Sequence, residues 1–592
     1  MPTKFFRPFG LFILLAALAI LVSVAAAPVY AVAVGPGGVG INAGLWLKAD
    51  AGAFTDAAGT TLAANGQNVQ HWHDQWTRNV HVTNTSAGIS PNWVSASSTF
   101  NFNPSLDFNA GDELASAANV SPFTATGNNS ELFIVMNYSS TYADLVGAND
   151  SAATAVSGST RGDWPDWMVF SNAPFMWTYY GNFGGLFGTA PVNNNNQPYL
   201  VDYSSTHTSG SNGTMTFTVD GKNGGSGGYN VDLGLYNFVV GENGGDNAIH
   251  DGNNAEIVMY NANLTSAQRN QVRSYLAAKY GITLGNNAAS VNYTASDGST
   301  IFWTGSGTYQ NDVAGIGRDD DSGLDQRVSH SVNSGTQPTL ANGATLQTLN
   351  PGANTALTAD RSFVMWGHNA GAMTLTTDVT AMGANKRMAR VWQTQVTGSG
   401  AATQLTIQIA DSVFTGLYNP KLLISTDSTF GSVTRAPIAL TCASGTCTGT
   451  FDTFTAGEFF TFGANTAPTN ATLTKFGAKA KIGKTGKQVV RVKWETGNEV
   501  QVVGFRVWRK GVWNTKPAKE AKTAKENTKA AKGWVQLNAE LIAAKHAGEI
   551  VGDAYKFTDK KVKAGKTYSY KVEIVLADGT SEWSEVEKVK IK

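Results

Sequence analysis

At 592 residues, with 42% hydrophobic and 10% aromatic residues, the chain is too long for one hydrophobic core and rich enough in apolar side chains to fold as three or four domains. Charged residues make up only 15% while glycine numbers 64, which excludes a helical bundle and points to many short strands joined by turns. Formal net charge is zero, yet residues 471–592 hold 26 Lys and Arg against 13 Asp and Glu, a net +13, and the remainder holds 17 against 30, a net −13. Blocks of opposite sign suggest modules with different partners, or attraction between the modules.

Lys4 and Arg7 precede an apolar run from Phe9 to Ala27, and small residues at Val29 and Ala31 suit a signal peptidase. Residues 1–31 therefore read as a signal peptide, with an uncleaved membrane anchor as the alternative, and the mature protein is expected to be secreted or held at the cell surface. GLWLKADAG, VQHWHDQWTRNVHV, FNFNPSLDFNAGDEL, ELFIVMNYSS and MTFTVDGKNGG follow as short strands ending in turn residues. Glu256 to Tyr260 is a further strand, and after it the spacing predicts a lone helix. Thr265 is its N-cap with Gln268 completing a capping box, Val272, Tyr275, Leu276 and Tyr280 form an apolar stripe, and Gly281 ends it. Arg269, Arg273 and Lys279 are expected to make its wet face.

Alternating apolar residues in QLTIQIA and KLLIST predict a second β-sandwich over 287–466, and residues 467–470 are a linker. Cys442 and Cys447 are the only cysteines, and in an exported chain their spacing predicts a local disulfide closing a hairpin. The last module, 471–592, carries a Lys- and Ala-rich insert at 514–533, a mobile basic loop or a marginal helix. The fold class is thus all-β and multidomain with one short helix.

GLWLKADAG, Trp72 to Gln75, NPSLDF and the strand-helix run to Leu284 together resemble the LamG-like, concanavalin A-like jelly rolls of secreted bacterial surface proteins, over residues 36–286. The stretches NDVAGIGRDDDSGLDQRVSHSVN, ADRSFVMWGHNAG and RMARVWQTQVTG resemble the β domain that follows such a jelly roll. VVRVKWETGNEVQVVGFRVWRK and KTYSYKVEIVLADG resemble a fibronectin type III-like sandwich, in which Trp494 is the buried strand tryptophan. The resemblance implies adhesion or glycan binding, with a structural envelope or spacer protein as the alternative and a polysaccharide hydrolase as the third reading.

Glycoside hydrolysis needs two carboxylates across the scissile bond, and the alternating E-x-D-x-E of laminarinase-like members has no counterpart here. Glu256 lacks a partner on its face, and Asp163 and Asp166 fall on opposite faces of any strand. Sugars stack on aromatic rings, which makes Trp164, Trp167, Trp177 and Tyr179 the candidate glycan platform. Trp164, beside Pro165 in a turn, is the ring best placed for exposure, since alternation buries half of the others in a core. Calcium is the candidate cofactor: Glu242, Asp246 and Asp251 offer oxygens from one loop, and Asp319, Asp320, Asp321 and Asp325 from another. His71 and His73 alternate onto one face, but zinc needs a third ligand and Asp74 alone does not supply it, so the two rings are expected to flank a buried Trp72 outward. RGD at 161–163 is short enough to recur by chance. The basic last domain is expected to meet acidic polymers through screened charge, with no specific nucleic-acid site.

Overall fold

The computed structural model describes residues 33–592 except 85–86, 110, 125–128, 139–141, 150–166, 173–174, 181–185, 189–195, 210–211, 231–235, 242–249, 286–290, 306, 334, 380–383, 401–403, 433, 467–472, 484, 512–532 and 578. The segment expected to be a signal peptide, the expected linker and nearly all of the Lys-rich insert lie outside these. Among the described residues the regular structure is mostly strand, with a single α-helix, Ser266–Tyr280. No helix among them is long and apolar enough to cross a membrane.

Two antiparallel sheets make the first sandwich. In one, Gly252–Tyr260 runs between Ser130–Met136 and Ala43–Lys48, and Ser130–Met136 pairs onward with Tyr199–Ser209. The other includes Tyr142–Asn149, Trp167–Asn172, Phe175–Tyr180 and Asn237–Gly241. Alternate residues from both, among them Leu47, Trp72, Leu106, Ile134, Phe238 and Ile257, fill the space between. Every residue of Ser130–Met136 is buried, because the sheet is covered on its other face as well.

That cover is the helix. Thr265 and Gln268 form the capping box, and Gly281 closes the other end in the left-handed conformation at φ 65°. Val272, Tyr275, Leu276 and Tyr280 pack on Trp46, Phe133, Val258 and Tyr260 of the first sandwich, and the same cluster continues into Val313, Leu324, Phe363 and Met365 of the second. The helix is therefore a shared core element between two β layers. Its C-terminal carbonyl at Lys279 accepts from Asn101 Nδ2 at 3.0 Å and Asn103 Nδ2 at 2.7 Å. Asn103 also donates to Gln326, and Asn350 donates back to Asn103, so a buried amide network joins the same two sandwiches.

The expected wet face is not wet. Arg269 is paired with Glu131, Arg273 donates from Nε and Nη2 to Asp202 at 2.7 Å each, and the Lys279 side chain is only 3% exposed. Periodicity separates apolar from polar positions, but a polar side chain can be buried once an opposite charge on the neighbouring sheet compensates it.

A nine-stranded and a five-stranded sheet form the second sandwich around Ile316, Trp366, Trp392, Ile407 and Phe462. Cys442 and Cys447 are disulfide-bonded and stand opposite each other in a hairpin of Thr441–Ala443 and Thr446–Asp452. The last sandwich faces a three-stranded sheet with a six-stranded one. Trp494 is fully buried in its core and stacks on Tyr555 with ring centroids 5.5 Å apart, while Tyr568 and Tyr570 are buried beside it.

Candidate functional site

Of the expected glycan platform, Trp164 lies outside the described residues. Trp167 stands opposite Tyr180 in a hairpin, whereas Tyr179 and Trp177 stand opposite Met168 and Phe170, the alternate set of register positions. The three positions are thus divided between the two faces of the hairpin rather than gathered on one. Glu242 and Asp246 of the expected calcium loop also lie outside the described residues. Asp251 is exposed just before Gly252–Tyr260, close enough that its charge, after burial, raises the carboxyl of Asp107.

The second acidic run is engaged by its own neighbours. Asp319 accepts from Ser296 N at 2.8 Å, Asp320 takes Arg318 through both oxygens, Asp321 meets Arg361 at 3.5 Å and Asp325 pairs with Arg327 at 2.7 Å. Two of these partners lie two residues away and two lie 23 and 40 residues away, and together they tie the acids into the second sandwich.

Glu256, read from sequence as an acid without a second carboxylate on its strand face, is held by donors instead. It is fully buried on the helix-facing side of its strand, where its carboxylate accepts from Trp46 Nε1 at 2.7 Å, Tyr275 Oη at 3.0 Å, Tyr280 Oη at 2.9 Å and Lys279 Nζ at 2.8 Å. Lys279 also reaches Asp50 at 3.0 Å. Against the cost of burial, Lys279 and Lys48 hold the Asp50 carboxyl down to about 2. The cluster holds the helix on the sheet, and its one acid in the strand is sealed from any substrate.

The histidines also differ from expectation. Trp72 is buried as anticipated, but His71 is 7% exposed rather than outward, and a third ring joins the pair. The hairpin register Trp72 opposite Val82 brings His81 beside His73, with ring centroids 4.0 Å apart, and His71 lies 5.1 Å from His81. Asp74 builds the intervening turn by accepting backbone N–H groups from Trp46, Trp76 and Val80 at 2.9 to 3.1 Å. Burial, then the neighbouring rings, push His81 down to about 4, and His73 is lowered for the same reasons.

The strongest ligand-facing geometry lies on the outer face of the three-stranded sheet in the last sandwich. Along Leu473–Ile482 the residues Lys475, Gly477, Lys479 and Lys481 alternate outward while Ala478 turns inward to the core. Gln488–Thr496 does the same with Arg491, Lys493 and Glu495 around the buried Val490, Val492 and Trp494. Register then sets Lys479 directly opposite Arg491 and Lys493 directly opposite Lys556. Lys475 is neutralised by Glu495 at 2.7 Å, but Lys479, Arg491, Lys493 and Lys556 have no carboxylate at ion-pair distance among the described residues. All four are exposed, and a groove of about 780 Å³ lies against them. Like charges directly opposite on a sheet face repel, an arrangement a polyanion laid along the face would reverse.

Fold and surface together define an all-β protein of successive sandwiches with a helix inserted between the first two and a cationic face on the last. A family described as "Domain of unknown function (DUF8202)" matches residues 268–455, from the first turn of the helix into the second sandwich. No curated protein matches. Among solved structures the chain is similar to a Trypanosoma rangeli sialidase in complex with the inhibitor DANA (16% identity, TM-score 0.25, covering 39% of this chain and 32% of that one). It is also similar to an arabinofuranosidase complexed with arabinofuranosyl-alpha-1,2-xylobiose (13% identity, TM-score 0.28, covering 52% and 65%) and to the Botulinum neurotoxin serotype D binding domain (8% identity, TM-score 0.29, covering 72% and 96%). The chain spans about a third of the sialidase's length, and at these TM-scores none of the three carries an argument about function.

Proposed function

We propose that this is an exported surface protein that binds rather than catalyses, and that its C-terminal sandwich holds an acidic polysaccharide on its cationic sheet face. The observation that carries this reading is the register that sets Lys479 against Arg491 and Lys493 against Lys556 with no acid to separate them. A fold stabilised for its own sake would alternate charge across such pairs, and surface ion pairs cost little to arrange. The N-terminal signal sequence favours an extracellular polyanion over nucleic acid. The LamG-like resemblance of the first sandwich adds a neutral glycan as a second ligand for the same chain.

The test is an array of acidic polysaccharides, neutral β-glucans and single- and double-stranded DNA, probed with the full mature chain and with an Arg491→Glu/Lys493→Glu variant. Binding to uronate or sulfate polymers that the double charge reversal abolishes supports the reading. Binding confined to DNA, or acidic-polysaccharide binding indifferent to the charge reversal, overturns it.

A further inference from the structure

We infer that His71, His73 and His81 form a binding site for one divalent first-row transition-metal ion of the kind that takes imidazole nitrogen, zinc or copper, in the first sandwich. One ligating nitrogen from each ring lies within 4.8 Å of the other two. His71 Nε2 and His73 Nδ1 are 3.4 Å apart. Two nitrogens on a tetrahedral shell with metal bonds of about 2.05 Å stand about 3.4 Å from each other, so this pair already has the spacing of two ligands.

The surroundings of His71 set its nitrogen for that role. Its Nδ1 lies 3.1 Å from the carbonyl oxygen of Ala57, which can only accept, so Nδ1 carries the proton and Nε2 turns a lone pair toward His73. A ring N–H held by a backbone carbonyl is the common orienting contact behind a metal-ligating histidine. Gly59, at φ 69°, folds the preceding turn over the same ring: a Cβ there would stand 3.0 Å from its Cε1. Phe54 packs edge-on against both His71 and His73. The ring positions are therefore fixed by packing and not by contact with one another alone.

His81 is the looser arm. Its Nδ1 accepts the backbone N–H of Asp74 at 3.0 Å, so it ligates through Nε2 or after releasing that bond. His73 and His81 are also the more exposed members, which leaves the remaining coordination position on the solvent side for water or an oxygen ligand. Imidazole donors disfavour calcium and magnesium, which take oxygen. This site is independent of the cationic face, more than 390 residues away in sequence.

The test uses the full mature chain stripped with chelator and titrated at pH 7.5 with zinc by calorimetry and with cobalt by visible absorption. One ion per chain is expected. His73→Ala should weaken binding at least roughly tenfold, His81→Ala should weaken it less, and His207→Ala should leave it unchanged. His73 and His81 are partly exposed, and far-UV circular dichroism checks that each variant is folded. No saturable binding by the wild-type chain, or wild-type binding by both His73→Ala and His81→Ala, overturns the site.

Discussion

Replacing Lys279 with methionine removes the cation ion-paired with Glu256 and leaves a carboxylate with no exposure inside the joint between the two sandwiches. Breaking one side of a buried ion pair typically costs about 3–5 kcal/mol. Glu256 would keep three donors, the Trp46 indole and the Tyr275 and Tyr280 hydroxyls, and Asp50 would keep Lys48 at 3.7 Å, so the lower end, about 3 kcal/mol, applies. Since about 1.4 kcal/mol is tenfold in an equilibrium constant, opening of the helix should rise by about a hundredfold. Hydrogen-exchange mass spectrometry of peptides covering 266–280 reads that change directly. The double variant Lys279→Met/Glu256→Gln keeps the hydrogen-bond acceptor but removes the stranded charge, and should recover much of the lost protection. Exchange within about twofold of wild type in the single variant, or a double variant less protected than the single one, would refute the reasoning.

Three further outcomes are expected, one from the same cluster and two from other modules. Asp50 has a folded-state pKa of about 2, below its unfolded value, so its contribution is complete above about pH 4 and is lost as pH falls toward about 2; helix protection should decline across that window and do so less in Lys279→Met. In the last sandwich Arg509 donates to Asp559 at 2.6 Å with both side chains buried, and Arg509→Met should destabilise that module by about 3–5 kcal/mol in urea unfolding while exchange at 266–280 is unchanged. Cys442→Ala/Cys447→Ala opens a loop with a sequence separation of 5 and should cost about 2 kcal/mol at most, seen as faster exchange confined to 438–452.

What could be read from sequence was local. The helix ends were legible because Thr265, Gln268 and Gly281 act within one turn of each other, and the all-β class followed from turn density. Long-range pairing was not. Glu256 finds Lys279, 23 residues on, and Trp46, 210 residues back, and neither distance leaves a periodic mark. The unbroken apolar run LFIVM was a signal that its sheet is covered on both faces, which would have placed the helix's basic side chains in a seam. His81 was missed because its approach to His73 depends on hairpin register, although alternation in VHV put it in phase. The cationic face is hidden for another reason: its basic residues at 475–493 and 556 are sparse along the chain, and only strand pairing turns them into a patch.

The binding account is tested most directly by the affinity of the full mature chain for a polyuronate between about 50 and 500 mM NaCl, beside the Arg491→Glu/Lys493→Glu variant. Surface charge attraction is screened within about 10 Å at 0.1 M salt. The wild-type chain should lose at least roughly tenfold in affinity across that range, and the variant should show neither the low-salt affinity nor the salt dependence. Salt-independent binding shared equally by both proteins would contradict the assignment of the ligand to this sheet face.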